Sequence, residues 1–188
     1  MKNLFDLCAI EEGTRGRNTI RVTAKAHITD GDPEPRMEQR VLAESEYALL
    51  RGKHGILREV NVTAAGQLDA QAVLDLYGAV PEKYRRNAVF LMNAVTLQEL
   101  HLALRHGSGQ LLNWDGGFML MGAPVVILDT MPCAGDGCVP VLYGDCSQIT
   151  VRDCGRDEML RSTDACIMTG YVDFHIADRE AVRGLKII

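Results

Sequence analysis

The sequence predicts an α+β fold, because segments with the period of a strand outnumber helical ones and do not alternate regularly with them. Two observations carry this. Ile20, Val22, Ala24, Ala26 and Ile28 alternate with Thr19, Arg21, Thr23, Lys25 and His27 across 18–29, the period of a half-buried strand. Ala88–Met92 reads AVFLM, a continuous apolar run of strand length that is expected to be buried on both faces. The main helical counterweight is Arg36–Arg51, where Met37, Val41, Leu42, Ala48 and Leu49 form one stripe and Glu38, Arg40, Glu44 and Glu46 face away.

The other elements follow in order. Residues 3–13 have no clean period, and with Gly13, Arg15, Gly16 and Arg17 they are expected to form a loose arm. Two prolines and a glycine in 30–35 break the first strand before the helix begins. Ile56–Thr63 reads as a strand. Asp69 is an N-cap for a short helix over Ala70–Ala79, with Val73, Leu74 and Tyr77 at helical spacing, and Pro81 stops it from running on. Asn93 or Thr96 caps the helix that follows Met92. Thr96-Leu-Gln-Glu99 fits the capping box, and a glycine cap ends that helix near His106-Gly107. Short strands are expected at Phe118–Met121, Pro124–Leu128, Val139–Tyr143, Gln148–Arg152 and Cys166–Ile176. A last helical turn over Asp178–Arg183 precedes the apolar Leu185–Ile188.

The 188 residues are 47% apolar and 24% charged, which suits one domain or two small intertwined ones and excludes disorder or coiled coil as the main state. Twenty Lys and Arg face 25 Asp and Glu, a net charge of −5, so no basic field advertises nucleic acid as the principal partner. No apolar run reaches the roughly 20 residues that span a bilayer. The opening MKNLFDLCAIEEG carries acids where a secretory signal needs an apolar stretch. The chain therefore reads as soluble and cytosol-made, with no membrane partner.

A search for chemistry returns little. Gly13-x-x-Gly16 and Gly52-Lys53-His54-Gly55 lack the spacing and setting of a phosphate loop and read as turn glycines. His27, His54, His101, His106 and His175 are scattered; His101 and His106 are five apart and do not stack on one helix face. The six cysteines, Cys8, Cys133, Cys138, Cys146, Cys154 and Cys166, contain no C-x-x-C pair, so they read as buried or loop thiols rather than a zinc site. Cys146, Asp145 and His175 compose a nucleophile on paper, without a local signature. Asp129, Asp136, Asp145 and Asp153 sit in turn-like surroundings. Neither catalysis nor a cofactor nor a metal is called for. The alternatives left open are a small α+β enzyme using Cys146 or Cys154 and a zinc-stabilised binding module.

The order and phrasing of the middle and end carry a resemblance. The run Ala70–Asn93, with its Pro81-Glu-Lys-Tyr-Arg85 turn and strand ending in Met92-Asn93, is similar to the centre of the major capsid proteins of tailed bacteriophages. Thr96-Leu-Gln-Glu-Leu100, Gly109-Gln-Leu-Leu112, Leu120-Met-Gly-Ala-Pro-Val-Val126, Asp129-Thr-Met-Pro132, Val141-Leu-Tyr-Gly-Asp145 and Asp178–Lys186 then resemble later segments of that family in the same order. The resemblance implies an axial domain, a mixed sheet flanked by helices, over 66–165. It also implies a reduced peripheral domain of spine helix and narrow sheet over 36–65 and 166–188, after an N-terminal arm and strand in 1–35. The spine helix is expected to be short, near four turns. The family's longer N-terminal region and extended two-stranded loop are expected to be missing.

In function the resemblance implies a structural subunit of a phage or prophage capsid. Copies would associate into rings or icosahedral shells enclosing DNA, with scaffold, portal or protease proteins as further partners. DNA contact would be non-specific, and the location would be the virion capsid after synthesis in the host bacterial cytoplasm. Encapsulins share this fold as compartment shells. Candidate subunit contacts are the loops His106–Gly116 and Met131–Cys138. Trp114, the single tryptophan, lies there between Asn113 and Asp115, a fair interface anchor or a side chain folded onto its own core. Arg15 and Arg17, with Arg21 and Lys25, would meet a partner's acids or the genome, or remain solvated. Met119, Met121 and Met131 read as core fillers before adaptable contacts. If the thiols are reduced and structural, neither a reductant nor a chelator should move the melting temperature; a drop with chelator would restore the zinc reading.

Overall fold

A computed structural model of the chain describes residues 3–16, 19–27, 33–104, 112–113, 117–135, 137–161 and 165–188. A 3-10 turn (Leu4–Asp6) leads to β1 (Ala9–Glu12), β2 (Ile20–His27) and the long helix α1 (Pro33–Arg51). Next come α2 (Ile56–Glu59), β3 (Asn61–Ala65), α3 (Ala70–Ala79), α4 (Glu82–Arg85), β4 (Val89–Met92) and α5 (Ala94–Leu104). The rest is strand: β5 (Leu112–Asn113), β6 (Met119–Leu120), β7 (Ala123–Ile127), β8 (Val141–Gly144), β9 (Ile149–Arg156), β10 (Leu160–Arg161), β11 (Ala165–Ile176) and β12 (Val182–Ile187). The α+β class is as expected.

Among the described residues these strands form two mixed sheets. The larger runs β3-β12-β8-β4-β7-β6-β5; the smaller runs β1-β9-β11-β10, with β2 also paired to β11. In the larger sheet β12 is parallel to β3 and antiparallel to β8, while β4 is antiparallel to β8 and parallel to β7. Sheet membership crosses the domain boundaries expected at 36–65, 66–165 and 166–188. Strands β3 and β12, expected with the periphery, lie in the larger sheet, and β9, expected in the axial part, lies in the smaller one.

Successive residues of the central strands feed two different cores. Leu91, Val126, Leu142 and Val182 point into a core shared with Leu49 and Leu50 of α1 and with Ile149, Val151 and Val172 of the smaller sheet. Their neighbours Phe90, Met92, Val125, Val141, Tyr143 and Leu185 point the other way, against Val73 and Leu76 of α3 and Leu97 and Leu100 of α5. The AVFLM run is thus buried on both faces, as a strand covered on each side must be. A smaller third core lies under the start of α1, where Met37 and Val41 meet Ala24, Cys166 and Met168.

Several local expectations are corrected. Helix α1 has 19 residues, about five turns rather than four. Its stripe is rotated: Leu42 is 38% exposed, whereas Glu46, expected outward, is 8% exposed. Leu74 of α3 likewise faces out, at 40%, and Leu76 goes in at 0%. Asn93, not Thr96, caps α5: Asn93 Oδ1 accepts from the Thr96 amide at 2.7 Å, and its Nδ2 donates to Met131 O at 3.0 Å. Thr96 sits inside the helix, fully buried. Ile56–Glu59 is a helical turn, closed by the Val60 amide on Ile56 O at 3.0 Å, and the strand begins only at Asn61. The four residues Ile-Leu-Arg-Glu are too few to show which period they follow. The end of the chain holds one tight turn, Ala181 N to Asp178 O at 3.1 Å, and then a buried strand where a helical turn was expected. The Asp69 cap is as expected, its Oδ1 accepting from the Ala72 amide at 2.9 Å, and this bond holds the carboxyl below its ordinary pKa.

The N-terminal segment is not a loose arm. Leu4 is fully buried, and β1 pairs in parallel with β9, Ala9 opposite Thr150. All four residues of β1 are exposed, so the segment has no hydrophobic period to read.

Two adjacent residues in β8 should respond in opposite ways to substitution. The Tyr143 hydroxyl is buried without a hydrogen-bond partner, and burial pushes its pKa up to about 12. Removing it with Tyr143→Phe should leave stability unchanged or raise it by up to about 1 kcal/mol. Gly144 has φ +150°, and a Cβ there would lie 2.1 Å from Ala181 O. Gly144→Ala should therefore cost about 3 kcal/mol or more. Urea midpoints of the two variants check both; a mild Gly144→Ala would mean that the β8–β12 contact can open.

Candidate functional site

The face that the N-terminal segment lays over the smaller sheet is built from a few specific bonds. Asn3 and Asp6 cap their own turn reciprocally, Asn3 N to Asp6 Oδ2 at 2.9 Å and Asp6 N to Asn3 Oδ1 at 3.0 Å. The Leu4 amide donates to Glu46 Oε2 at 3.0 Å, and Thr130 Oγ1 donates to Glu46 Oε1 at 2.5 Å. One buried carboxylate therefore joins the N-terminal turn, α1 and the loop after β7. Sequence reading missed Glu46, because its partners lie 42 and 84 residues away.

Further along, Arg15 Nη2 meets Asp157 Oδ1 at 2.8 Å while its guanidinium lies 3.7 Å from the centre of the Tyr171 ring. Tyr171 OH donates to Asp157 Oδ2 at 2.8 Å. The Tyr171 hydroxyl first, and then Arg15, hold the Asp157 carboxyl below its ordinary pKa of 3.8. The same bond holds the Tyr171 phenol up. Arg15 is thus engaged within its own chain, with its side chain still 48% exposed.

Of the other candidate contacts, Asn113 lies in β5, opposite Met119 of β6. His106, Trp114, Asp115 and Arg17 lie outside the described residues. Met131 is buried at 1%, and Met119 and Met121 are half-buried.

The residues considered for catalysis are otherwise employed. Asp145 Oδ1 accepts from the Ser147 amide at 3.1 Å and from Ser147 Oγ at 2.6 Å, closing its own turn. Asp153 does the same for the Gly155 amide at 2.9 Å. Cys146 is buried, and burial pushes its thiol up, with Cys8 and Asp145 adding to the effect. Burial, then Glu46, push the Cys8 thiol up to about 12. Such thiols stay protonated and are poor nucleophiles. His175 is exposed on β11. Among the described residues no three of His, Cys, Asp or Glu cluster as metal ligands would, and no described helix is long and apolar enough to cross a membrane.

What the described residues offer is a set of sheets and strand edges. Comparison with known proteins bears on that architecture. Residues 34–185 match the sequence pattern of the phage capsid family. The chain belongs to the phage capsid family. No curated protein matches the chain significantly. Among solved structures, the capsid of an empty GTA particle computed with C5 symmetry superimposes with a TM-score of 0.67, covering 98% of this chain and 89% of that one at 17% identity. The holo-SrpI encapsulin complex from Synechococcus elongatus PCC 7942 gives 0.62, covering 89% and 72% at 12% identity. Gordonia phage Cozz gives 0.60, covering 90% and 70% at 13% identity. At such identities these likenesses speak to the fold: this capsid-family chain has the mixed α+β architecture that phage capsids share with encapsulins.

The Asp157 contact predicts an acid response. A carboxyl depressed in the folded state adds stability that is complete above the ordinary carboxylate range, and that stability is lost as pH falls through the depressed value. Asp157→Asn should therefore flatten the dependence of the urea midpoint on pH between about 4 and 2. Equal acid limbs in the variant and the parent would show that the contact does not form in solution.

Proposed function

We propose that this chain is a structural subunit of a phage or prophage capsid shell, with copies associating into rings and closed shells that enclose DNA and with no catalytic role. The family match across residues 34–185 carries the reading. A shell subunit needs many modest heterologous contacts that close by symmetry, not a pocket with convergent reactive groups. The larger sheet with α3 and α5 is assigned as the axial part, and the smaller sheet with α1 as the peripheral part. Subunit contacts are assigned to the loops His106–Gly116 and Met131–Cys138, with His106, Asn113, Trp114 and Asp115 in the first. Arg15 and Arg17 are assigned to a contact on the N-terminal segment. Scaffold, portal and protease proteins are the remaining partners. DNA is met only through non-specific phosphate contact, in keeping with a net charge of −5. The subunit is placed in the virion after synthesis in the bacterial cytoplasm. The encapsulin likeness favours one second reading, a shell enclosing protein cargo instead of a genome.

Light scattering on a sizing column, with electron microscopy of the peak and its 260/280 nm absorbance ratio, separates these readings. Pentamers, hexamers or shells are expected, and nucleic acid in shells isolated from cells marks the phage form. A strict monomer at high concentration would count against assembly by this chain alone. Trp114→Ala should weaken association while leaving the monomer's melting temperature within about 2 °C. A large loss of monomer stability would instead place Trp114 in the core.

A further inference from the structure

One polar cleft is not absorbed by the shell reading. It lies where the turn after α1 meets the far end of β11, has a volume of about 520 Å³, and is floored by Ile20, Phe174 and Ile176. Lys53, His54, His175 and Arg179 line it, together with the acids Glu59 and Asp173. The basic groups come from three segments: the turn after α1, the strand β11 and the turn before β12.

We propose that this cleft is an acid-favoured binding site for a phosphate group. Arg179 Nη2 holds Glu59 Oε2 at 3.0 Å, so the guanidinium's remaining donors are available beside a carboxylate that is already paired. Asp173 Oδ1 accepts from the Phe174 amide at 2.8 Å. With both imidazoles neutral, Lys53 and Arg179 balance Glu59 and Asp173, and the cleft has little pull on an anion. Protonated His54 and His175 would add two positive charges to the lining. Imidazoles as a class gain that charge between about pH 8 and 5. Among the described residues these six are the titratable groups that line the cleft.

The number of donor groups lining the site favours a phosphate over a single carboxylate. A phosphate presents at least three strong acceptor oxygens around one centre and can meet ammonium, imidazolium and guanidinium donors together. The turn that carries Lys53 and His54 is also fixed. A Cβ at Gly52 would lie 2.4 Å from Ala48 O, and the Gly52 and Gly55 amides donate to Ala48 O and Gly52 O, each at 2.9 Å. Those glycines make no phosphate loop. They set a tight turn that projects two basic side chains, which is why motif spacing alone did not reveal a site.

The test is calorimetric titration of the whole unassembled chain with pyrophosphate at about pH 5.8 and about pH 8. A short single-stranded oligonucleotide is titrated in parallel, to separate free phosphate from a nucleic-acid backbone as the source. Saturable binding at the lower pH, at least about tenfold weaker at the higher, is expected for one or both ligands. His54→Gln with His175→Gln should remove the pH dependence. Lys53→Ala should weaken binding about fivefold or more. All three side chains are exposed, so melting temperatures should hold. No saturable binding of either ligand, or binding unchanged when Lys53→Ala, His54→Gln and His175→Gln are combined, would overturn the proposal. None of these titrations reads assembly, so the shell reading stands or falls separately.

Discussion

The constraint on which this fold depends is that the central strands β4 and β8 are apolar on both faces. A strand of that kind is stable only when layers cover both sides, and each fully buried large side chain contributes about 1.5–3 kcal/mol. Helices α3 and α5 cover one side, where Phe90, Tyr143 and Tyr77 stack with ring centres 4.2 and 5.4 Å apart. The other side is covered by α1 and the smaller sheet, with Leu49, Leu50, Ile149 and Val151 in one continuous core. The smaller sheet is therefore not an appendage: without it half of the central apolar surface would face water.

Glu46 shows how that second layer is held in register. A carboxylate buried to 8% exposure is costly unless its oxygens are satisfied. Here the acceptors take the Leu4 amide and the Thr130 hydroxyl. The long helix is thereby tied to the chain's first turn and to the loop leaving β7. The same bonds seat Leu4 in the core, from which β1 can run alongside β9. Arg15 on Tyr171 and Asp157 secures the segment at its far end.

What could be read in the sequence follows the range of the forces involved. The Asp69 cap, the two-faced Val89–Met92 strand and the alternating β2 are set by near neighbours, and they stand in the structure as expected. Strand β1 was illegible because Ala-Ile-Glu-Glu has no buried face; its only reason to be extended is a partner about 140 residues on. β12 was misread because Asp178–Arg183 looks like a turn of helix until β3 and β8 are placed beside it. Glu46 looked like any outward acid on an amphipathic helix. The contact candidates Trp114 and His106 lie outside the described residues. The Lys53-His54 turn carried no recognisable spacing, since its partners His175 and Arg179 arrive from far along the sequence.

The position of β12 has a consequence for how such a subunit is made. Its parallel partner β3 lies about 120 residues upstream, and it separates β3 from β8, second from one edge of the larger sheet. While a ribosome is still adding residues before 182, β8 has an open edge and β3 has no sheet to join. The β3 end of this sheet can close only after β12 has been made, and such a long-range pairing slows folding. Until that pairing forms, β3 and β8 keep backbone donors and acceptors unpaired along the edges that β12 will cover.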